Sequence, residues 1–272
     1  MGLLQETAEL LRHRLPGDFH AHSIEGLTIG LFFTGVKLSS GTGGLCYTPI
    51  KQIPEAVCCP SSAGRVFDPR AVRGIKAVDA LEALSSPEPM KKAVAIATLN
   101  ALSALCWQVR PTGYQIHMGT DALGLIKIPD QATVAVVGAI IPVMRCLKAK
   151  GGNWWVIEQD PGVLKADELP HFVRWEDSNK VLSMADVVII TGVTLINDTL
   201  EPILRMVRTE AEVGVMGPTA SMLPDVLFDR GVRIVGGVLV KDADRVLEVL
   251  AAGGSGYHLF DTYAERMVFE RT

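Results

Sequence analysis

Between residues 133 and 236 short apolar runs recur at 133–138, 153–158, 185–191, 211–217 and 232–236, and stretches of helical spacing separate most of them. This rhythm constrains the fold more than any other feature. A run of five to seven residues rich in Val and Ile is too short for a helix that must bury one stripe. It suits a strand covered on both faces, as in βαβ units built around a parallel sheet. The closing helix is legible in detail: Asp242 caps it, Val246, Val249 and Leu250 face inward, and Gly253-Gly254 ends it.

The first hundred residues have another texture. Leu4, Ala8, Leu11 and Leu15 recur at helical spacing until Pro16-Gly17. Residues 24–38 are rich in Ile, Leu, Phe, Thr and Val with a glycine break at Gly35. Gly41-Thr42-Gly43-Gly44 then separates them from Leu45-Cys46-Tyr47-Thr48, which predicts an antiparallel meander. Ser86-Pro87 predicts an N-cap and N1 pair, opening a helix with Met90, Val94, Ala97, Ala101, Leu102 and Leu105 on one side. Strands followed by helices make an α+β unit. Pro111, Gly113, Gly119 and Pro129 punctuate residues 110–131, where the junction is expected. The fold class is therefore α/β: an α+β domain over 1–110 and a Rossmann-like three-layer domain with a mainly parallel sheet over 111–272, a division that a chain of 272 residues accommodates.

Composition removes several functions. With 48% hydrophobic and 21% charged residues the chain can bury a full core, which excludes disorder. The 26 Lys+Arg against 30 Asp+Glu offer no broad attraction to nucleic acid. The longest nearly unbroken apolar run, 134–144, has 11 residues, about half of the roughly 20 needed to span a bilayer. Glu6 and Glu9 interrupt any signal-peptide core, so the expectation is a cytoplasmic protein with no membrane partner. Cys46, Cys58, Cys59, Cys106 and Cys146 are odd in number and form no C-x-x-C, which fits reduced thiols. An oligomer of identical chains is compatible with all of this.

Parallel sheets bind ligands beyond the carboxyl ends of their strands, where helix N-termini converge. The first such end, Gly138-Ala139-Ile140-Ile141-Pro142, carries one glycine in place of the G-x-G-x-x-G that admits a pyrophosphate. Glu158, twenty residues after Gly138, stands where a dinucleotide-binding sheet places its ribose-binding acid. Residues 191–199 are dense in small polar groups, among them Thr191, Gly192, Asn197, Asp198 and Thr199, and capping the next helix accounts for only one. Gly217-Pro218-Thr219-Ala220-Ser221 has the same character, and Pro224 opens a further helix. These loops suit an oxygen-rich, anionic small molecule.

Direct metal ligands are sparse. His20 and His22 form an H-x-H pair beside Asp18, which in a strand would place both rings on one face; they are the candidate metal ligands, with no third residue at fixed spacing. Cys58 and Cys59 are neighbours and face opposite ways in extended chain, while Cys106 and Cys146 read as core. Asn100, an amide in a small-residue helix, either reaches the cleft or makes a structural hydrogen bond. The sequence has no Ser/His/Asp triad, H-E-x-x-H or Walker loop, so hydrolysis and phosphoryl transfer lack their usual support.

Thr191-Gly192-Val193-Thr194-Leu195-Ile196-Asn197-Asp198-Thr199, then Gly217-Pro218-Thr219, then residues 227–236 and Gly253-Gly254, resemble in order and spacing the bacterial and archaeal family known as "putative heavy-metal chelation". Gly44-Leu45-Cys46-Tyr47-Thr48 and Ala97-Thr98-Leu99-Asn100-Ala101 extend the resemblance to the N-terminal half. It implies an N-terminal domain like that of enolase, a Rossmann-like C-terminal domain, and a site between them for a heavy metal or metal chelate. Together with the loops, this gives a ligand-binding set of Gly43, Gly44, Cys46, Asn100, Gly138, Glu158, Thr191, Gly192, Asn197, Thr199, Gly217, Pro218 and Thr219. Ala139, Ile140 and Ile141 depart from a phosphate-binding turn in being bulky and apolar. The alternative is a nucleotide-dependent enzyme, a reductase or an S-adenosylmethionine-dependent transferase, using the same sheet edge. A non-catalytic interaction module is the third option.

Overall fold

A computed structural model describes residues 2–15, 17–52, 68–107 and 113–272. Pro16, Cys58, Cys59, Arg110 and Pro111 lie outside the described residues. The N-terminal half contributes helices α1 (Leu3–Arg14), α2 (Ala77–Leu81) and α3 (Pro89–Cys106), and strands β1 (Ile24–Ile29), β2 (Phe33–Leu38) and β3 (Gly43–Tyr47). The remainder contributes β4 (Tyr114–Met118), β5 (Thr133–Val137), α4 (Ile141–Lys150), β6 (Asn153–Ile157), β7 (Phe172–Val173), α5 (Ser178–Leu182) and β8 (Val187–Thr191). After these come α6 (Leu200–Met206), β9 (Glu212–Met216), α7 (Asp225–Asp229), β10 (Ile234–Val240), α8 (Ala243–Ala251), α9 (Gly256–Leu259) and β11 (Ala264–Arg271).

β1, β2 and β3 form an antiparallel meander. The other eight strands form one sheet in the order β4-β11-β10-β9-β8-β5-β6-β7. From β7 to β10 the pairings are parallel, and counted from β5 these six strands run 3-2-1-4-5-6, the order of doubly wound sheets. β11 and β4 then extend the sheet antiparallel.

The parallel strands β5, β6, β8 and β9 form where the apolar runs predict them, because a strand buried on both faces has no polar side to alternate, whereas the two-residue β7 was not expected. Val188 and Ile190 of β8 pack with α3 and α1 on one face. Val187 and Ile189 pack with Val143, Met144 and Leu147 of α4 on the other. One face of the large sheet is thus covered by helices from the N-terminal half. The exchange is mutual, since Val246 and Leu250 of α8 share a smaller cluster with Leu45 of β3.

Several expectations change. The meander turns at residues 30–32, and Gly35 lies inside β2. The reason is packing: a Cβ at Gly35 would stand 2.7 Å from Leu250 Cδ1. Helix α3 starts two residues later than expected, with Glu88 as N-cap and Pro89 at its first position, while the Ser86 hydroxyl accepts the Glu88 N–H. The segment 110–131 contains strand β4. The strand expected at 232–236 is Ile234–Val240. Cys146 is exposed, on the solvent side of α4, whereas Cys46 and Cys106 are buried. Among the described residues no helix is long and apolar enough to cross a membrane.

Candidate functional site

The carboxyl ends of β5, β6, β8 and β9 bring Gly138, Glu158, Thr191-Gly192 and Gly217 to one edge of the sheet. β5 and β8 are neighbours whose chains leave in opposite directions, to β6 and to β9, so the edge between them is the topological switch point where such sheets take ligands. Gly138 and Thr191 meet there. Gly138 has φ +88°, and a Cβ on it would lie 2.7 Å from Thr191 Cγ2, so only glycine fits both the backbone and the contact.

The turn after β5 is closed by a carboxylate. Glu158 Oε2 accepts the Ala139 N–H at 3.0 Å, and its Oε1 accepts the Gln159 N–H at 2.7 Å. The acid therefore folds back on the turn that would cradle a pyrophosphate, instead of extending toward a ribose. Beside it, Lys51 of the N-terminal half reaches Asp160 at 3.0 Å. That hydrogen bond raises the pKa of Lys51 and lowers that of Asp160.

The 191–199 loop is tied down largely by its own polar groups. The Thr194 hydroxyl donates to the Thr191 carbonyl at 2.7 Å, and Asn197 Oδ1 accepts the Thr199 hydroxyl at 2.6 Å. No side chain caps α6, whose N-cap position is Thr199. Asp198 stands at φ +58°, a left-handed conformation that Asp tolerates.

Three expected residues form a buried seam between β3, α3 and the 217–221 loop. The Tyr47 N–H donates to Thr219 Oγ1 at 3.0 Å. Asn100 Nδ2 donates to the carbonyls of Leu45 (2.7 Å), Thr219 (3.1 Å) and Pro218 (3.2 Å), while its Oδ1 is buried with no partner among the described residues. Its amide nitrogen thus makes the structural hydrogen bonds of one of the two roles open to Asn100. The Cys46 thiol faces Thr219 in the interior, and burial pushes its pKa up, which keeps it protonated. Gly43 and Gly44 are packing positions: a Cβ would stand 2.6 Å from Val240 Cγ1 and 2.1 Å from the Ala97 carbonyl oxygen, respectively. Gly217 and Pro218 also line a small cavity of about 90 Å³ shared with Gly236, Gly237 and Arg266.

Lys92 is a residue the sequence pattern did not single out. It lies in the second turn of α3 with its side chain only 4% exposed, and its Nζ pairs with Asp198 Oδ2 at 2.5 Å. A signal was present: residues 93–106 are small or apolar all round, as in a helix buried on every side, so a lysine one residue ahead of them is liable to be buried.

His20 and His22 do not share a strand face. His20 sits in a 3-10 turn (Phe19–Ala21) whose amide is capped by Asp18, and His22 follows the turn. Among the described residues no group of three or more His, Cys, Asp or Glu side chains could hold a metal ion. A larger cavity of about 650 Å³, lined by residues that include Glu6, His13, Arg14, Tyr114, Asp225 and Arg271, opens at the opposite, amino-terminal edge of the parallel strands. Burial pushes the Tyr114 hydroxyl there up to about 12.

A family model described as "Putative heavy-metal chelation" matches residues 121–269, and a second with the same description matches residues 12–103. An uncharacterized protein of Methanocaldococcus jannaschii is 27% identical over 168 residues, 61% of this chain and 61% of that protein, so the match takes in less than two thirds of that relative's length. Crystal structures of proteins of unknown function from Pyrococcus horikoshii and Desulfitobacterium hafniense are similar, with TM-scores of 0.75 and 0.72 and identities of 19% and 18%. Each comparison covers 98% of this chain and 98% of the other. At these identities the likeness shows a shared fold.

Proposed function

This chain belongs to the "Putative heavy-metal chelation" family, and on that premise we propose that it binds a heavy metal already held in a small anionic chelator, at the sheet edge formed by Gly138, Thr191, Gly192, Asn197, Thr199 and Gly217. One observation carries this choice over direct coordination: polar loops gather at the switch point, yet among the described residues no group of three or more His, Cys, Asp or Glu side chains could hold an ion. A protein site for a bare metal ordinarily supplies three or four ligands at fixed distances. A chelate instead presents oxygens, which hydroxyls, amide N–H groups and a lysine can meet. Gly43, Gly44, Cys46, Asn100 and Thr219 support the edge from beneath in this scheme. The division of the chain at residue 110, with an N-terminal unit of enolase type and a Rossmann-like remainder, belongs to the same proposal, as does a cytoplasmic location.

The test is thermal-shift and calorimetric titration of the protein with ferric citrate, citrate and simple metal salts, alongside Thr191→Ala and Asn197→Ala. The chelate is expected to bind more tightly than the salt and to lose affinity in both variants. Stoichiometric metal that survives desalting, and disappears in a His20→Ala, His22→Ala double variant, would replace this scheme with direct coordination.

A further inference from the structure

The pair formed by Lys92 and Asp198 is strongly asymmetric. Lys92 is 4% exposed, whereas Asp198 is 71% exposed. An ammonium ion held away from water demands a counter-charge, and removing that partner leaves an uncompensated buried charge, which is strongly destabilising. The carboxylate has no such constraint, because it hydrates readily once released. Lys92 sits on α3, a helix packed in the core, while Asp198 sits in the loop after β8, between Asn197 and Thr199 of the proposed site. The ammonium is thus the fixed member of the pair and the carboxylate the replaceable one.

We infer that Lys92 is an anion subsite whose counter-ion is exchangeable: Asp198 fills it in the free protein, and a carboxylate of the bound chelator takes its place. Exchanging one oxyanion for another keeps the buried charge paired throughout, so the step avoids the cost of baring the lysine. The freed Asp198 passes into water and its loop is released to rearrange around the ligand. Asn197 extends the subsite, since its Oδ1 is already occupied by Thr199 and its amide N–H groups are the part left to donate. This inference rests on the chelate reading of the site and adds to it the residue that selects an anionic ligand.

Two measurements test it. In the first, Asp198→Asn is melted in citrate or inorganic phosphate and in sodium chloride of matched ionic strength. The variant is expected to melt below the native protein in chloride and to be restored saturably by millimolar oxyanion, while a Lys92→Met, Asp198→Asn double variant gains nothing specific. No restoration, or equal restoration of the double variant, overturns the subsite. In the second, Lys92→Met is titrated with ferric citrate, and affinity is expected to fall about thirtyfold or more, the equivalent of losing one partner of a buried charge pair. Tight binding by the native protein with unchanged affinity in Lys92→Met overturns the subsite and leaves the chelate function standing. Absence of chelate binding by the native protein overturns that function, and the melting comparison then decides the subsite by itself.

Discussion

Glu158 and Ala139 are joined by a carboxylate-to-amide hydrogen bond of 3.0 Å that closes the turn between β5 and α4. In a dinucleotide-binding sheet the corresponding amides face a pyrophosphate. Here one of them is already taken by the Glu158 carboxylate and is not free to bind a phosphate oxygen. Millimolar NADH is therefore expected to leave the melting temperature of the native protein unchanged. Glu158→Ala should cost about 1 kcal/mol in urea denaturation, as expected for one lost hydrogen bond to a charged group at a partly solvated site. A nucleotide-induced stabilisation that Glu158→Ala abolishes would reinstate a ribose contact for this residue.

The parallel core was legible because strands buried on both faces are written as unbroken apolar runs, and Asp242 announced its helix by a cap whose bond to the Arg245 N–H is present at 3.0 Å. The antiparallel extension was not. β11 ends in charged residues, and β4 lies among glycines and prolines that read as a linker; both owe their structure to pairing across a long sequence separation. Lys92 stayed hidden for a related reason. The run of small and apolar residues after it points to its burial, but its partner Asp198 lies in the loop after β8, about a hundred residues away, and no local pattern records that pairing. Asn100 was legible as an amide in a small-residue helix and Gly44 as part of the glycine break that precedes the strand, but their hydrogen-bonding and packing roles follow only from the placement of α3 against β3, which contains Gly44.

Gly44 offers a direct check on that placement. A Cβ there would stand 2.1 Å from the Ala97 carbonyl oxygen and 2.4 Å from the Ala101 amide nitrogen, both of them backbone atoms of a buried helix that cannot swing aside. Gly44→Ala should push β3 away from α3 and strain the Asn100 bonds to Leu45 and Thr219. The expected loss is about 3 kcal/mol or more, at or beyond the upper end for overpacked cores. Gly41→Ala is a useful comparison, because the added Cβ meets nothing within 4 Å and only the φ of +85° opposes it. Equal losses in the two variants would refute the close approach of β3 to α3.

The cysteines should separate by reactivity. Burial pushes the Cys106 thiol up to about 11 and the Cys46 thiol higher still, so both stay protonated and shielded at neutral pH. Cys146 is exposed on α4. Brief alkylation of the native protein at pH 7.5, read by peptide mass spectrometry, is expected to label Cys146 while Cys46 and Cys106 react only after unfolding. Rapid labelling of Cys46 would show that the seam between β3 and Thr219 opens in solution.

Glu168 supplies a pH dependence whose sign can be worked out. Its buried carboxylate accepts Lys148 Nζ at 2.8 Å and the Lys165 N–H at 2.8 Å, anchoring the loop after β6 to the last turn of α4. The Lys148 bond first, and the Lys165 amide second, lower its pKa from an ordinary value of 4.5. The folded state thus binds this proton less readily than the unfolded chain does. Its stabilising effect is complete above the unfolded pKa and disappears as pH falls through the lower, folded one. Glu168→Gln keeps the shape and removes the charge, so it should be less stable than the native protein at pH 7 by about 1 kcal/mol, after allowance for the partly hydrated Lys148. Urea denaturation across the acid range should show the two proteins converging as Glu168 takes up its proton. A gap that stays constant with falling pH would mean that the loss in Glu168→Gln does not come from the ionised carboxylate and that Lys148 does not hold its pKa down.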